Sequence, residues 1–186
     1  SSGVAAVFAP HELYSEDPFS VQPPAWLEGR AESRVRPGHF AGVATVCLKL
    51  FNVMRPSVVY IGQKDALQCV VLRKMVHDFN LNLRVEVVPT ARDHDGLALS
   101  SRNAYLSAEE RRAAPVVYRA LRAAEGGGRT EEIIVRVTDV LRSEPLVTHI
   151  EYIDVADYDT MAPVDFINGP ALVSVAVRVG TVRLID

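Results

Sequence analysis

The fold is decided by residues 57–89, which read SVVYIGQKDALQCVVLRKMVHDFNLNLRVEVVP. Residues 57–61 are predicted to be a buried strand, and residues 83–88, which end at Pro89, a further strand. Between them apolar side chains recur at helical spacing, at Leu67, Val70, Val71, Met75 and Phe79. Strand, helix and strand with short connections are typical of a right-handed parallel α/β unit. Ligands of such sheets bind beyond the carboxyl ends of the strands, so residues 62–65 and 90–102 are predicted to face a ligand.

Three further segments precede this unit. Residues 4–9 are a continuous apolar run stopped by Pro10, which predicts a strand buried on both faces of a parallel sheet. Residues 10–38 contain five prolines and predict a long loop with a functional or mobile character. Residues 40–54 have helical spacing and are apolar on nearly all sides, so this helix is expected to be buried or to lie at an interface.

The pattern changes after Asn103. Ser107 and Glu110 are spaced as a capping box, which predicts a helix to about Ala124 that is ended by the glycines at 126–128. A second helix, with Thr130 as its expected cap, should run to about Arg142. Strands are predicted at residues 150–155, 171–179 and 182–185, with a turn at 168–170. We therefore expect an α/β unit at residues 1–90 and a small α+β unit at residues 91–186.

Charge and cysteine content narrow the class of protein. A net charge of −3 argues against a mainly electrostatic nucleic-acid or membrane-surface binder, and we expect neither partner. The two cysteines cannot form a disulfide framework and predict a reducing, cytoplasmic compartment. The sequence has no uninterrupted apolar stretch of about 18 residues and no signal-peptide pattern at its first residues.

Two segments carry groups suited to a nucleotide. Lys64 and Asp65 follow a strand where a helix begins, so the ammonium could hold phosphate and the carboxylate could accept hydrogen bonds from ribose. The alternative is that Asp65 caps the helix and Lys64 is solvated. Ser100, Ser101 and Arg102 form a dense set of donors for an oxyanion such as phosphate. The alternative there is a capping and turn segment, since serine is common in both.

Other polar clusters are more ambiguous. Arg36 and His39 lie where the long loop meets the apolar helix and could face a carboxylate or phosphate, although a solvated basic loop is the simpler interpretation. Residues 92–95, Arg-Asp-His-Asp, predict a charged turn rather than a metal site, because zinc prefers cysteine and histidine neighbours that are absent there. The arginines of residues 111–122 are flanked by Glu109, Glu110 and Glu125 and predict a solvated helix face.

Taken together and in this order, three stretches closely resemble the pantothenate synthetase family. They are residues 36–46 (RPGHFAGVATV), residues 62–65 (GQKD) with Gln68, and residues 95–103 (DGLALSSRN) with Tyr105 and Leu106. The resemblance covers essentially the whole chain, and the Gly-Gln-Lys-Asp form of the second stretch is more similar to the fungal version. It implies the carboxyl-terminal part of a Rossmann-like nucleotide-binding domain followed by a small lid domain.

The resemblance also implies a reaction and a set of site residues. ATP and pantoate would form pantoyl adenylate, whose acyl carbon is then attacked by the amine of β-alanine, with Mg²⁺ accompanying ATP and a homodimer as the assembly. The implied catalytic residues are Lys64, Ser100, Ser101 and Arg102. ATP would also contact Gly62, Asp65, Ala91 and Leu99. Gln68, His39 and Arg36 would contact the substrates, and no residue of the chain is implied as a resident metal ligand.

One family feature is not present in the sequence. The His-x-Gly-His signature, whose histidines are implied to stabilise the adenylation transition state, occurs nowhere in these residues. We therefore expect a piece of a longer enzyme, with weak or no activity by itself. The alternative from a different class is a non-catalytic chain that folds, dimerises or complements an amino-terminal half.

Overall fold

The computed structural model describes residues 3–27 and 29–186. Two 3₁₀ turns occur at Ala25–Leu27 and Ser101–Tyr105. The helices are α1 (Ala31–Val35), α2 (His39–Met54), α3 (Ala66–Asp78), α4 (Ala108–Ala113), α5 (Val116–Arg122) and α6 (Thr130–Arg142). The strands are β1 (Val58–Gly62), β2 (Arg84–Val88), β3 (Gly128–Arg129), β4 (Val147–Asp157), β5 (Phe166–Ile167), β6 (Ala171–Val179) and β7 (Val182–Ile185).

The parallel α/β unit forms as its sequence predicts. Strands β1 and β2 are parallel neighbours, in register from Val58 against Arg84 to Gly62 against Val88, and α3 connects them. The pairing continues one residue further, because the Gln63 backbone N–H donates to the Val88 carbonyl at 2.8 Å. The strands are not buried on both faces, since the Tyr60 side chain is 70% exposed. Phe79, expected on the inner face of α3, is also exposed.

The segment before α2 differs most from its prediction. Residues 4–9 form no strand and are exposed, because no strand in the described part of the chain pairs with them. An apolar run indicates that a segment can be a strand, but only a partner satisfies its backbone groups. The predicted loop at residues 10–38 also contains α1, whose first three residues are buried. α2 itself spans the predicted residues and buries Phe40, Ala44, Thr45 and Phe51.

The carboxyl-terminal half is built on an antiparallel sheet of order β4-β6-β7. The predicted helix to Ala124 is wrong as a single element, because it is interrupted between α4 and α5 at Pro115. Proline has no backbone N–H and clashes with the preceding turn, which separates the two helices. The Ser107–Glu110 capping box is confirmed. Thr130 is not the cap of α6, since its hydroxyl donates to the Val164 carbonyl and Arg129 occupies the cap position.

This sheet has two differently covered faces, because successive side chains of a strand point to opposite sides. Val155, Val175 and Leu184 pack with α5 and α6 in one hydrophobic cluster. Tyr152 and Ala176 lie on the other face and pack with the cluster that includes α2 and α3. That second face carries the polar side chains discussed below. The division of the chain near residue 90 stays a prediction, and no helix of the described residues is long and apolar enough to cross a membrane.

Candidate active site

A cavity of about 250 Å³ lies between the starts of α2 and α3, the segment around Arg102 and the polar face of the sheet. It brings together six of the residues predicted to act on substrates. These are Arg36, His39, Lys64, Asp65, Gln68 and Arg102. Four residues that the sequence analysis did not single out also line it: Glu32, Tyr152, Ser174 and Asp186.

Lys64 and Asp65 lie at the start of α3, next to the carboxyl end of β1. The Asp65 backbone N–H donates to the Gly62 carbonyl at 3.2 Å, which turns the chain from strand to helix. Asp65 occupies the cap position of α3, as the capping interpretation predicted, but its side chain makes no capping hydrogen bond to the helix. Its carboxylate instead lies 3.7 Å from the Lys64 ammonium. The Lys64 side chain is only 13% exposed and faces the cavity rather than bulk water.

The segment at 97–103 is partly a turn and partly a wall of the cavity. The Ser100 hydroxyl accepts from the Arg102 backbone N–H at 3.2 Å and caps the 3₁₀ turn, as the alternative interpretation predicted. Arg102 projects into the cavity all the same. Ser101 is exposed, and Ser100 lies in a small adjoining space beside Arg183 and Asp186.

The remaining predicted ATP contacts lie outside the lining of the cavity. Gly62 and Leu99 are exposed, and the Leu99 N–H donates to the Ala91 carbonyl at 2.8 Å. Ala91 is therefore part of a tight backbone pairing that holds residues 91–99 together. The structure thus gathers the predicted charged residues at one cavity, but it does not gather the predicted serines and backbone contacts there.

A charged network forms the wall at α1. Glu32 accepts two hydrogen bonds from Arg183, at 3.0 and 2.7 Å, and one from Arg36 at 3.1 Å. Burial acts to raise the pKa of Glu32, but the two guanidinium groups outweigh it and lower the pKa. Tyr152 donates its hydroxyl to Glu32 at 3.3 Å, and burial followed by the Glu32 charge raises the pKa of that phenol.

His39 lies beside this network at the start of α2. Its Nε2 is 3.2 Å from Arg36 Nη1. Burial and the Arg36 charge lower the pKa of His39, against smaller opposing effects of Glu32 and Asp65. Arg36 and His39 are therefore parts of one connected group and not a solvated basic loop.

The charged turn at residues 92–95 is held by Arg111, which donates to Asp93 at 2.6 Å and to Asp95 at 2.5 Å. Arg111 therefore belongs to an ion-pair cluster and not to a solvated face. Arg92 is not a solvated turn residue either, because it pairs with the buried side chain of Asp186. Within residues 3–27 and 29–186, no group of three or more His, Cys, Asp or Glu side chains is placed to hold a metal ion.

The four additional wall residues left only a weak signal in the sequence. Ser174 is an isolated polar residue within an apolar stretch of β6, and Tyr152 lies in β4 among several other polar residues. Glu32 lies in a stretch that was predicted as loop, and Asp186 follows the last predicted strand. Neither position carries a periodic pattern that marks it.

The parallel unit and the neighbouring antiparallel sheet define a Rossmann-like α/β protein with a second, α+β region. A family model described as pantoate-beta-alanine ligase matches residues 1–186. The chain therefore belongs to the pantoate-beta-alanine ligase family.

Two relatives illustrate the range of proteins that match. The pantothenate synthetase of Chloroflexus aggregans is 50% identical over 199 residues, which cover all of this chain and 70% of the relative. The bifunctional pantoate ligase/cytidylate kinase of Synechococcus elongatus is 47% identical over 196 residues, which are 37% of that protein. The chain thus spans just over a third of the bifunctional relative.

Two solved structures share the fold. The pantothenate synthetase of Thermus thermophilus is 41% identical with a TM-score of 0.87, over 94% of this chain and 65% of that one. The pantoate-beta-alanine ligase of Francisella tularensis, solved in complex with beta-gamma ATP and beta-alanine, is 29% identical with a TM-score of 0.68. That match covers 90% of this chain and 57% of the other.

Proposed function

We propose that these residues form part of an enzyme that condenses pantoate with β-alanine, using ATP and a pantoyl adenylate intermediate. The observation that carries the proposal is the convergence of Lys64, Arg102 and Arg36 on one cavity beside Gln68. Three cations at one site suit substrates that carry a carboxylate and phosphates. Membership of the pantoate-beta-alanine ligase family over the whole chain supports the same activity.

Each residue has a distinct proposed role. Lys64 and Arg102 balance the charge of the phosphates, with Ser100 and Ser101 as further donors to the triphosphate. Asp65 and the Gly62 backbone bind the ribose, and Ala91 and Leu99 complete the contacts with ATP. Gln68 binds a hydroxyl of pantoate, whereas Arg36 and His39 face the pyrophosphate and substrate side. The α+β region at residues 91–186 acts as a lid over the nucleotide.

The chemistry we propose needs no nucleophile from the protein. Attack of the pantoate carboxylate on the α-phosphorus releases pyrophosphate, and attack of the β-alanine amine on the acyl carbon releases AMP. The protein contributes by holding the reactants and by stabilising charge as it develops. Mg²⁺ prefers phosphate oxygens and water, so it would accompany ATP and offset the charge of the phosphates together with Lys64 and Arg102.

We also infer a homodimer in a reducing, cytoplasmic compartment. Val53 and Met54 at the end of α2 are exposed apolar side chains, and a second copy of the chain would cover them. Cys47 and Cys69 are both free, as expected where thiols stay reduced. Light scattering at micromolar concentration should give twice the mass of one chain, and a monomer would contradict the dimer. Likeness to the fungal form of the motif at 62–65 stays a prediction.

The activity is tested with protein expressed from the complete reading frame that contains these residues. Pyrophosphate release should require both ATP and pantoate, and AMP release should increase on addition of β-alanine. Acetate in place of pantoate serves as the control, because it has the carboxylate without the hydroxyl that Gln68 is proposed to bind. Absence of pantoate-dependent pyrophosphate release from correctly folded protein would contradict the proposal and favour a non-catalytic role. The 186-residue chain assayed in parallel tests the expectation that it is weakly active or inactive by itself.

A further inference from the structure

We propose that Glu32 is a positioning residue that holds Arg36 against His39 and thereby fixes His39 as a neutral hydrogen-bond donor at the cavity wall. The inference rests on the proposed function only in treating this cavity as the substrate site. It concerns the free protein and is tested there.

The first step is the direction of the hydrogen bond between Arg36 and His39. A guanidinium group has donors only, so at 3.2 Å from Arg36 Nη1 the Nε2 atom of His39 must be the acceptor. The ring proton then lies on Nδ1, and the imidazole is neutral. A neutral ring in this tautomer has one remaining hydrogen-bonding group, the Nδ1–H donor, which suits an oxygen of an anionic substrate.

The second step is what holds Arg36 in place. Its Nη1 atom donates to Glu32 Oε1 at 3.1 Å as well as to His39. The Arg36 side chain is 42% exposed, whereas that of Glu32 is 10% exposed. A half-exposed arginine samples many rotamers unless a fixed anion restrains it. Glu32 is such an anion.

The third step is why Glu32 is fixed. Arg183 donates hydrogen bonds to both carboxylate oxygens of Glu32, and Tyr152 donates to Oε2. Arg183 lies on β7 and uses a different atom for Glu151, at 2.7 Å from Nε to Oε2, so Nη1 and Nη2 remain for Glu32 without that contact. The order of restraint therefore runs from the sheet through Arg183 and Glu32 to Arg36, and ends at His39.

Loss of the Glu32 charge and release of Arg36 shift the pKa of His39 in opposite directions. The charged groups that face it are Arg36, Glu32, Asp65 and Arg183. Removing the Glu32 charge alone would lower the pKa of His39 further, because that carboxylate stabilises the protonated ring. Releasing Arg36 would raise the pKa toward 6.5, because the guanidinium disfavours the protonated ring.

The test compares Glu32→Gln with Glu151→Gln in ligand-free protein from the complete reading frame. Both carboxylates bind Arg183 at 2.7 Å and are similarly buried, but only Glu32 contacts Arg36. The ring nitrogens of His39 are followed by ¹⁵N NMR and assigned by their loss in His39→Gln. In the parent protein we expect the Nδ1–H tautomer.

Glu32→Gln should raise the pKa of His39 by roughly half a unit or more and mix the two tautomers, because a charged neighbour is released. Glu151→Gln should change neither property. A fall or no change in the pKa with Glu32→Gln overturns the proposal, and so does an equal rise with Glu151→Gln.

If Glu32→Gln does not fold, Arg36→Gln decides, because it leaves the Glu32–Arg183 pair intact. The same rise and tautomer mixing are expected, and an unchanged titration overturns the proposal. The titration needs no substrate, so its outcome is separate from that of the pantoate assay.

Discussion

Arg92 and Asp186 lie 94 residues apart in the chain and form an ion pair with two hydrogen bonds, of which Nη2 to Oδ1 measures 2.9 Å. The Arg92 guanidinium also lies 4.4 Å from the centre of the Tyr118 ring and donates to the Gly96 carbonyl at 3.1 Å. Asp186 is joined to β6 by reciprocal backbone hydrogen bonds with Val175. The pair therefore ties the segment that leads to Arg102 to the central sheet.

Removal of Asp186 should destabilise the protein strongly. The Asp186 side chain is 4% exposed, and breaking a buried pair leaves an uncompensated charge, which costs about 3–5 kcal/mol. Since Arg92 is partly exposed, we expect Asp186→Ala to lower the free energy of unfolding by about 3 kcal/mol in urea titrations. Asp78→Ala is the control, because its pair with Lys74 is exposed and should matter little. Similar small losses in both variants would contradict this account.

Glycine at position 96 is required by the same cluster. Its φ is 89°, which side-chain-bearing residues rarely adopt, and a Cβ there would overlap the Tyr118 ring. Gly96→Ala should therefore lower the free energy of unfolding by about 2–4 kcal/mol, from backbone strain and displacement of the ring. Gly169→Ala has open space and no positive φ, so it should change stability by less than about 0.5 kcal/mol. A tolerated Gly96→Ala would mean that the ring moves aside freely.

The buried carboxyl of Asp154 should cause the free energy of unfolding to fall as the pH rises. Its Oδ2 atom is buried with no hydrogen-bond partner among the residues that the structure describes, and burial raises the pKa of the carboxyl despite Arg30 and Arg34. With a raised pKa the folded state binds the proton more tightly, so this contribution is largest below the unfolded pKa of 3.8 and is lost above the folded pKa. Asp154→Asn should gain about 1 kcal/mol at pH 7 and little at pH 3, measured by urea unfolding.

Asp157→Asn provides a control of opposite sign for that measurement. The Asp157 carboxylate accepts hydrogen bonds from the Thr160 hydroxyl and backbone and from the Asp159 backbone, which lower its pKa. Its contribution is present above the unfolded pKa and lost in acid, so Asp157→Asn should give no gain at pH 7. A gain in both variants would point to net charge and not to the burial of Asp154.

Local patterns in the sequence predicted the bounds of most of the longer elements. α2, α3, β1, β2, β6 and β7 all begin and end within about one residue of their predicted bounds. Residues 4–9 failed because strand formation depends on a partner that periodicity does not specify. The apolar spacing over 107–124 indicated one continuous helix, although Pro115 within it is a residue that interrupts helices.

The site was predictable in its charged residues and not in the contacts that hold them. Lys64, Arg102 and Arg36 were identifiable as cations near strand ends or helix starts. Glu32 and Asp186 act through partners 151 and 94 residues away, and no local spacing relates such distant positions. The role of Ser100 as a phosphate donor stays a prediction, because its hydroxyl accepts from the Arg102 backbone N–H to cap the turn and keeps its own proton to donate.

Substitution of Lys64 should lower the reaction rate without lowering the stability of the fold. Its ammonium lies at the start of α3 and is paired only loosely with Asp65, at 3.7 Å. In the proposed reaction this cation balances charge that develops at phosphorus, and loss of one such donor lowers the rate by about 10²- to 10³-fold. Lys64→Met retains much of the apolar stem that is covered by the cavity wall, so we expect pantoate-dependent pyrophosphate release to fall by that factor while the melting temperature changes by only a few degrees. Lys74→Ala, on the same helix but in an exposed pair with Asp78, should leave the rate within about twofold. A proportional loss of melting temperature and activity in Lys64→Met would instead identify Lys64 as a structural residue, and full activity in that variant would remove it from the phosphate site.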